Sequence, residues 1–329
     1  MCTAISFHSN HHYFGRTLDL EHTYNEQIVV TPRRFPFRYL DLPTDDEHHA
    51  MIGIATVIDG YPLYYDACNE HGLAIAGLNF VGNAIYHPWE EGMYNLAQFE
   101  LIPWLLGKCK NLTEARDELG RINLLNVAFR RDLPVAKLHW MLSDKSGSIV
   151  VEPTADGLCI YDNPVGVLTN NPPFPHQLQN LSLYQNLTPN EPERPQFATG
   201  FTQSPISRGT GAIGLPGDWS SPSRFVRATF VKMNATPKES EEDSVNQFFH
   251  ILGTVEQVEG CLHLGEMLER TQYTSCCNID HAIYYCKTYE CHRITAVPLF
   301  LEDLNASVLQ SYPLAKKESF SHPKNPSLL

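Results

Sequence analysis

The sequence has no long apolar run and no excess of positive charge, and both absences restrict what the protein can be. No segment of the 329 residues approaches the roughly 18 uninterrupted apolar residues that a membrane helix needs. Acidic residues outnumber basic ones, 37 against 24, and the formal net charge is -13. Because a nucleic-acid partner requires a basic excess that displaces counterions from phosphate, this charge balance argues against one.

The nine cysteines lack the spacing of a disulfide framework or a zinc site. Their number is odd, they are dispersed, and no C-x-x-C pair occurs among them. In a chain of this length that pattern is typical of reduced thiols in a cytoplasmic protein. The start of the chain also lacks the basic and apolar regions of a signal peptide. We therefore expect a cytoplasmic protein without a membrane anchor.

Histidines do not supply a convincing metal pattern either. The adjacent pairs His11-His12 and His48-His49 lack the i, i+4 spacing that places two ligands on one helix face. Cys286 and Cys291-His292 likewise do not match a zinc motif. We expect neither a metal site nor a cofactor.

Apolar periodicity predicts strands and helices in an order that suits a layered α+β domain. Strands are predicted at 3–7 and 13–20 (a hairpin), 27–31, 51–58, 73–80, 138–142, 149–152, 158–161 and 165–168 (a meander), and 273–278 and 282–289. Helices are predicted at 95–106, 113–119 with Thr113 as cap, and 244–252 with Ser244 as cap. This order is typical of β-sheets between helix layers, in one domain spanning 1–329.

The segment 172–222 has a composition of its own. It contains nine prolines and little periodicity. Because long irregular stretches inside a domain are usually functional, we expect an assembly arm or a functional loop here.

Cys2 is the first candidate for chemistry. Removal of Met1 would leave a residue that carries both a thiol and a free α-amine. An α-amine titrates near pH of about 8, so an appreciable fraction is a free base at neutral pH. One residue could then supply both nucleophile and general base. The alternative is that residue 2 is simply small enough to permit removal of the methionine.

Arg16 and Asp19 lie on the returning strand of the predicted hairpin, which brings them beside the start of the chain. A guanidinium beside a thiol favours the thiolate, and a carboxylate beside an α-amine can hold that amine in place. A surface ion pair is the alternative interpretation. Strict strand alternation would put residues 16 and 19 on opposite faces, so this site requires a bulge or a strand end.

Six segments give the sequence a resemblance to the choloylglycine hydrolases, a family that includes bile salt hydrolases and penicillin V acylases. They are MCT at the start, YFGRTLDLE around Arg16, CNEHGLAIAGLNF at 68–80, VLTNNPPF at 167–174, GLPGDWSSPSRFVR at 214–227 and YTS at 273–275. The resemblance covers nearly the whole chain. It implies a four-layer αββα sandwich of the N-terminal-nucleophile hydrolase type and a homotetramer.

The resemblance also implies roles for six residues. Cys2 is the nucleophile and its α-amine the base, Arg16 hydrogen-bonds the sulfur, Asp19 positions the amine, Asn79 and Asn170 donate to the oxyanion, and Arg224 completes the polar network. Such donors stabilise the charge that develops during acyl transfer. In LTNNP the family motif matches Asn170 and not Asn171. From the residues alone, a turn asparagine and a surface arginine would be the preferred interpretations of Asn170 and Arg224.

Position 79 favours a substrate class. Bile-salt-cleaving members are similar to this sequence in carrying asparagine there, whereas penicillin-cleaving members more often carry tyrosine. Candidate substrate-binding residues are Leu18 and Leu20, the loop residues Val127, Phe129 and Val135, and Arg208 within Ser207-Arg208-Gly209. Each apolar member could equally be part of the core.

The favoured function is hydrolysis of the amide bond of glycine- or taurine-conjugated bile salts, which releases free bile acid and the amino acid. Two alternatives remain open. One is an acylase of the same family that acts on penicillin V, an N-acyl homoserine lactone or another N-acyl amide. The other is a non-catalytic binding or metal-storage protein on this scaffold.

Overall fold

Two large antiparallel β-sheets form the centre of the molecule in the computed structural model, which describes residues 1–191, 196–203 and 207–323. The strands are β1 Cys2–His8, β2 His12–Leu20, β3 Gln27–Thr31, β4 Met51–Ile58, β5 Tyr61–Asn69, β6 Ala74–Asn79, β7 Tyr94–Ala97, β8 Ile122–Leu125, β9 Leu138–Asp144, β10 Gly147–Thr154, β11 Gly157–Asp162, β12 Val167–Leu168, β13 Gln196–Ala198, β14 Phe201–Thr202, β15 His263–Leu264, β16 Met267–Leu268, β17 Arg270–Asn278, β18 Ile283–Thr288, β19 Cys291–Pro298 and β20 Gln310–Pro313. The six-stranded sheet has the order β12-β1-β2-β17-β18-β19. The eight-stranded sheet has the order β11-β10-β9-β6-β5-β4-β3-β20.

The eight-stranded sheet is covered on both faces, and its side chains alternate between two apolar cores. In β4, Ile52 and Ile54 belong to one core, whereas Met51 and Ala55 belong to the other. The first core also contains residues of the six-stranded sheet, such as Phe14, so it lies between the two sheets. A strand with both faces buried reads as a continuous apolar run, as 51–58 does in the sequence.

Helices cover the outer faces of both sheets. They are α1 Leu101–Lys108, α2 Leu112–Leu119, α3 Phe174–Asn180, α4 Ser221–Asn234 and α5 Glu241–Gly253. Helix α1 contacts β5 and β6, and α2 contacts β9, whereas α4 and α5 contact β1. The result is the predicted αββα order of layers, which confirms the α+β fold class. Among the helices in the described part of the chain, none is long and apolar enough to cross a bilayer.

Most predicted strands are confirmed, but the four strands of the predicted meander are divided between the two sheets. Strands β9, β10 and β11 pair in succession, whereas the fourth predicted strand, β12, leaves that sheet and pairs with β1, Ala4 opposite Leu168. Asn163 stabilises the crossing, because its side chain donates to the oxygen of Val167 and accepts from the backbone N–H of Gly166. Strand β5 is not among the strands predicted from the sequence.

The helix predictions need three corrections. Residues 95–97 belong to β7, which pairs in parallel with β8, and the helix starts at Leu101 with Pro103 in its first turn. Proline is tolerated there because the first N–H groups of a helix have no intrahelical partner. The caps are Asn111 and Ser240, whose side chains accept from backbone N–H groups, and not Thr113 and Ser244. Helix α4 has no counterpart among the predictions, because its start lies in the proline-rich segment.

Candidate active site

The β1–β2 hairpin places Cys2, Arg16 and Asp19 in the interior. Cys2 lies opposite Leu18 and is 3% exposed, and Arg16 and Asp19 are fully buried. No bulge between residues 16 and 19 occurs in β2 itself, because its pairing with β1 is regular from His12 to Leu18, and the irregularity lies in the neighbouring strand. Asp19 pairs with Thr271 and Leu18 pairs with Tyr273, so the register shifts by one residue in β17. Such a bulge changes the direction of the strand locally.

Arg16 is held mainly by backbone oxygens. Its Nη1 donates to the carbonyl oxygens of Gly77 at 2.5 Å and Tyr65 at 3.3 Å, and its Nε donates to that of Thr17 at 3.1 Å. Burial alone would lower the pKa of Arg16. Electrostatic interaction with Cys2, followed by those with Tyr273, Asp66 and Asp19, outweighs burial and raises that pKa. Arg16 is therefore a permanent cation beside the thiol, and its Nη2 has no hydrogen-bond partner among the described residues.

Asp19 is anchored by hydroxyl groups. Its Oδ1 accepts from the Thr271 hydroxyl at 2.7 Å, and its Oδ2 accepts from the Thr17 hydroxyl at 3.2 Å. Burial raises the pKa of Asp19, and the N-terminal ammonium and the Arg224 guanidinium partly offset that effect. With Met1 in place, the backbone of Asp19 pairs with Met1 in both directions. The carboxylate thus contributes charge next to the chain start without touching the nitrogen of Cys2.

Asn170 and Arg224 contact each other and bind the backbone N–H and the carbonyl oxygen of Cys2, respectively. The N–H of Cys2 donates to Asn170 Oδ1 at 2.8 Å. Arg224 donates through Nη1 to the carbonyl oxygen of Cys2 at 2.5 Å and to the Thr3 hydroxyl at 2.6 Å, and through Nη2 to Asn170 Oδ1 at 2.7 Å. Burial lowers the pKa of Arg224, and Asp19, Cys2 and Glu269 oppose this effect. These contacts fix the main chain on both sides of the thiol.

Two elements far apart in sequence bring these residues together. Asn170 follows β12, and its N–H donates to the Ser221 hydroxyl at the start of α4. Its side-chain nitrogen donates to the main-chain oxygen of Asn79 at 2.8 Å. The side chain of Asn79 is exposed at the end of β6. Asn171 donates instead to the carbonyl oxygen of Val81 and does not reach Cys2.

Two buried carboxylates of this region carry no sequence prediction. Glu269 is 2% exposed, and its Oε1 forms an ion pair with the amine of Met1 at 2.5 Å. Asp66 is 1% exposed and accepts from the hydroxyls of Tyr273, Ser275 and Tyr284. The sequence offers one signal for Asp66, since it is the single charged residue in the apolar run YPLYYDAC.

The candidate substrate-binding residues fall into separate regions. Leu18 is part of the core between the sheets, and Leu20 packs against that core. Phe129 packs instead on Tyr61 and Phe99, with ring centroids 5.6 and 5.2 Å apart, in the core beneath α1 and α2. The others are Val135, which packs against that second core, and Val127 and Arg208, which are exposed. A substrate-binding role for these six residues stays a prediction.

One group of side chains in the described ranges has the composition of a metal site. His49 Nδ1 and His71 Nε2 lie 3.1 Å apart, with Glu70 near both. Glu70 already accepts from the Arg33 guanidinium and from the backbone N–H of Ala50. The carboxylate of this group therefore already has a cationic partner in Arg33.

A buried cysteine at position 2, at the start of the first hairpin of an αββα sandwich, is the arrangement of the N-terminal-nucleophile hydrolases. Residues 2–312 match the sequence model of a protein family, the linear amide C–N hydrolases of the choloylglycine hydrolase family. The chain belongs to this family and is an amide C–N hydrolase.

Three known proteins are similar to this chain. The chain is 47% identical over 321 residues to a bile salt hydrolase/transferase of Lactiplantibacillus plantarum, covering 97% of this chain and 99% of that protein. It is 34% identical to the crystal structure of the mutant C2A conjugated bile acid hydrolase from Clostridium perfringens, with a TM-score of 0.91 and coverage of 98% and 100%. A penicillin V acylase from Agrobacterium tumefaciens shares the fold, with a TM-score of 0.75 at 19% identity and coverage of 94% and 90%.

Proposed function

We propose that this enzyme hydrolyses the amide bond that joins a bile acid to glycine or taurine. The observation that carries the proposal is the similarity, over 97% of the chain at 47% identity, to a relative named for bile salts. The penicillin V acylase matches at 19% identity, which supports a shared fold and no shared substrate. An asparagine at position 79 agrees with the bile-salt assignment.

In the proposed reaction, Cys2 acts after Met1 has been removed. The free α-amine takes the thiol proton, and the thiolate attacks the amide carbonyl. The resulting tetrahedral intermediate collapses when the C–N bond breaks, and the α-amine gives its proton to the leaving nitrogen. Water then attacks the thioester, which releases the bile acid and restores the thiol.

The residues around Cys2 receive distinct roles in this proposal. Arg16 stabilises the thiolate, since its buried positive charge interacts electrostatically with Cys2. Asp19 stabilises the protonated α-amine by charge. Asn170 and the exposed side chain of Asn79 donate to the developing oxyanion, and Arg224 holds Asn170 and the Cys2 carbonyl in place. Oxyanion donors contribute about 10²–10³-fold to turnover in related chemistry.

The test compares kcat/KM for glycocholate, taurocholate and penicillin V with the same preparation. We expect both bile salts to be preferred over penicillin V by at least about tenfold. Cys2→Ser keeps the α-amine but carries a more basic nucleophile, so its turnover should fall by orders of magnitude, and Cys2→Ala should be inert. Preference for penicillin V would reject the substrate. Activity of processed Cys2→Ala protein would reject the nucleophile.

The same thioester can be resolved by an amine, and we propose acyl transfer as a second activity. The name of the Lactiplantibacillus plantarum relative pairs hydrolase with transferase. Incubation of a conjugated bile salt with an excess of a different amino acid should yield the new conjugate, detected by mass spectrometry. Formation of free bile acid alone would limit the enzyme to hydrolysis.

We further propose a cytoplasmic homotetramer in which the segment 172–222 contributes to assembly. Leu183 and Ile213 in this segment are 77% and 78% exposed, so both side chains are available for contact with another copy of the chain. The nine free cysteines suit a reducing compartment. Light scattering on a Leu183→Asp, Ile213→Asp protein should show a smaller assembly than wild type. Leu301→Asp, at 81% exposure outside the segment, is the matched control. An unchanged mass would remove this segment from the interface.

A further inference from the structure

A buried polar cluster around Asp66 lies next to Arg16 and has no role in the reaction as described so far. The carboxylate of Asp66 accepts from the Tyr273 hydroxyl at 2.7 Å, from the Ser275 hydroxyl at 2.9 Å and from the Tyr284 hydroxyl. A carboxylate buried this deeply is costly unless a cation and hydrogen-bond donors compensate it. Three hydroxyl groups supply the donors, so the remaining requirement is a cation.

Arg16 is the cation that meets this requirement. Its backbone N–H donates to the Ser275 hydroxyl at 3.1 Å, and that same hydroxyl donates to Asp66. Its Nη1 reaches the carbonyl oxygen of Tyr65, the residue that precedes Asp66. Asp66 raises the pKa of Arg16, and Arg16 in turn opposes the increase that burial causes in the pKa of Asp66. The two side chains are electrostatic partners, and the Ser275 hydroxyl connects the Asp66 carboxylate to the backbone N–H of Arg16.

The backbone next to Asp66 is shaped for this arrangement. In the pairing of β5 with β4, Asp66 lies opposite Ile54 and Tyr64 lies opposite Ala55, so Tyr65 is an extra residue at a bulge. Bulges redirect side chains and backbone groups and are frequent beside active sites. Here the bulge coincides with the carbonyl that receives Arg16.

We propose that Asp66 is the positioning residue of Arg16, its resident counter-ion in the interior, and that it limits how strongly Arg16 stabilises the Cys2 thiolate. Arg16 has two negative partners, the Asp66 carboxylate in the interior and the thiolate that forms during the reaction. The charge on Asp66 therefore cancels part of the field that the sulfur experiences. This inference rests on the proposed role of Cys2 as nucleophile.

Other titratable groups face Asp66 but stay neutral near pH 7. Burial raises the pKa of Tyr273 and Cys277 on β17 and of Tyr284 and Cys286 on β18 above their ordinary values. From β5 itself, Tyr65 has a raised pKa for the same reason. Around neutral pH, Asp66 and Arg16 are therefore the charged pair of this cluster.

The experiment measures the rate at which iodoacetamide alkylates Cys2 as a function of pH, with the modified peptide identified by mass spectrometry. The protein is the full processed chain, with loss of Met1 verified by intact mass. In Asp66→Asn we expect the midpoint of the rate profile to move to lower pH by roughly one unit, the size of effect that one neighbouring charge produces. The acid limb of kcat/KM should move in the same direction.

Tyr64→Phe is the matched control on the same strand. It removes a buried hydroxyl that is bonded to Thr31, at 2.7 Å, and that lies outside the cluster. Its melting temperature should fall while its alkylation midpoint stays at the wild-type value. A purely structural role for Asp66 would give the same result for Asp66→Asn, and that result overturns the proposal, as does a midpoint that moves to higher pH.

A second variant applies if Asp66→Asn does not fold. Tyr284→Phe removes one of the hydroxyls that favours the ionised carboxylate, so Asp66 carries its charge for less of the time. The midpoint should then move to lower pH by a smaller amount, and no movement rejects the idea. Because alkylation requires no substrate, these outcomes are separate from the proposed function, which fails if processed Cys2→Ala protein is active.

Discussion

Asn170 Oδ1 accepts a hydrogen bond from the backbone nitrogen of Cys2 at 2.8 Å. The same oxygen accepts from Arg224 at 2.7 Å. Loss of Met1 would convert this backbone nitrogen into the α-amine that the proposed mechanism uses as its base. Asn170 is therefore placed to orient the base through its oxygen, in addition to donating through its nitrogen.

The first prediction compares two adjacent asparagines. Asn170→Ala should lower kcat by about 10²–10³-fold, because both a donor to the oxyanion and the contact with the Cys2 nitrogen are lost. Asn171→Ala should remain within about threefold of wild type, since the Asn171 side chain contacts Val81. Steady-state kinetics on glycocholate would check both. Equal losses in the two variants would assign the effect to the loop and not to the site.

The second prediction concerns Met1. In the unprocessed chain its amine pairs with Glu269 and with the Asp19 carbonyl oxygen, and the nitrogen of Cys2 is an amide that cannot act as a base. Turnover should therefore be proportional to the processed fraction, measured by intact mass across preparations. Unprocessed protein that turns over substrate at the processed rate would show that the α-amine is not the base.

The third prediction separates chemistry from specificity. Arg16→Ala should lower turnover on every amide, because it removes the cation beside the sulfur. Leu20→Ala should lower kcat/KM for glycocholate by about tenfold and for penicillin V much less, since burial of a leucine side chain is worth about 1.5–3 kcal/mol. Parallel losses on both substrates in Leu20→Ala would remove Leu20 from the steroid pocket.

Phe129 provides the contrast within this prediction. Because its ring packs on Tyr61 and Phe99, Phe129→Ala should mainly reduce the free energy of unfolding, by about 2 kcal/mol for a half-buried ring. Denaturant unfolding measures this effect. A lower kcat/KM for glycocholate alone, without a loss of stability, would assign Phe129 to the substrate-binding site.

The fourth prediction is a pH dependence of stability that originates at Glu100. Burial raises the pKa of Glu100 to about 7, and the N–H groups of Ala97 and Leu40 offset only part of that increase. Between pH of about 4.5 and 7 the folded state binds this proton more tightly than the unfolded state. The free energy of unfolding should therefore fall as pH rises through this window, by up to about 1.4 kcal/mol per pH unit. Glu100→Gln should flatten the profile, and an identical slope in both proteins would contradict the assignment.

Much of the local structure could be predicted because each signal lies within a short stretch of chain. The hairpin that carries Cys2 and Arg16, strand β4 and the β9–β11 meander follow from apolar periodicity and turn residues. The helix ends were less accurate, since Asn111 and Thr113 are both acceptable caps by residue type. Only the position of the neighbouring strands decides between such candidates.

The sequence by itself indicated the candidate nucleophile, the class of hydrolase and the alternation that builds two cores on one sheet. Tertiary structure alone decided which sheet β12 joins, and hence that Asn170 meets Cys2, 168 residues away, and Arg224 meets it from 222 residues away. It also decided that Asp66 and Glu269 enter the buried charge cluster and that Phe129 packs on Tyr61 and Phe99. The physical reason is that periodicity and turn chemistry act between neighbours along the chain. Compensation of a buried charge instead depends on groups that approach only when both sheets and α4 are assembled.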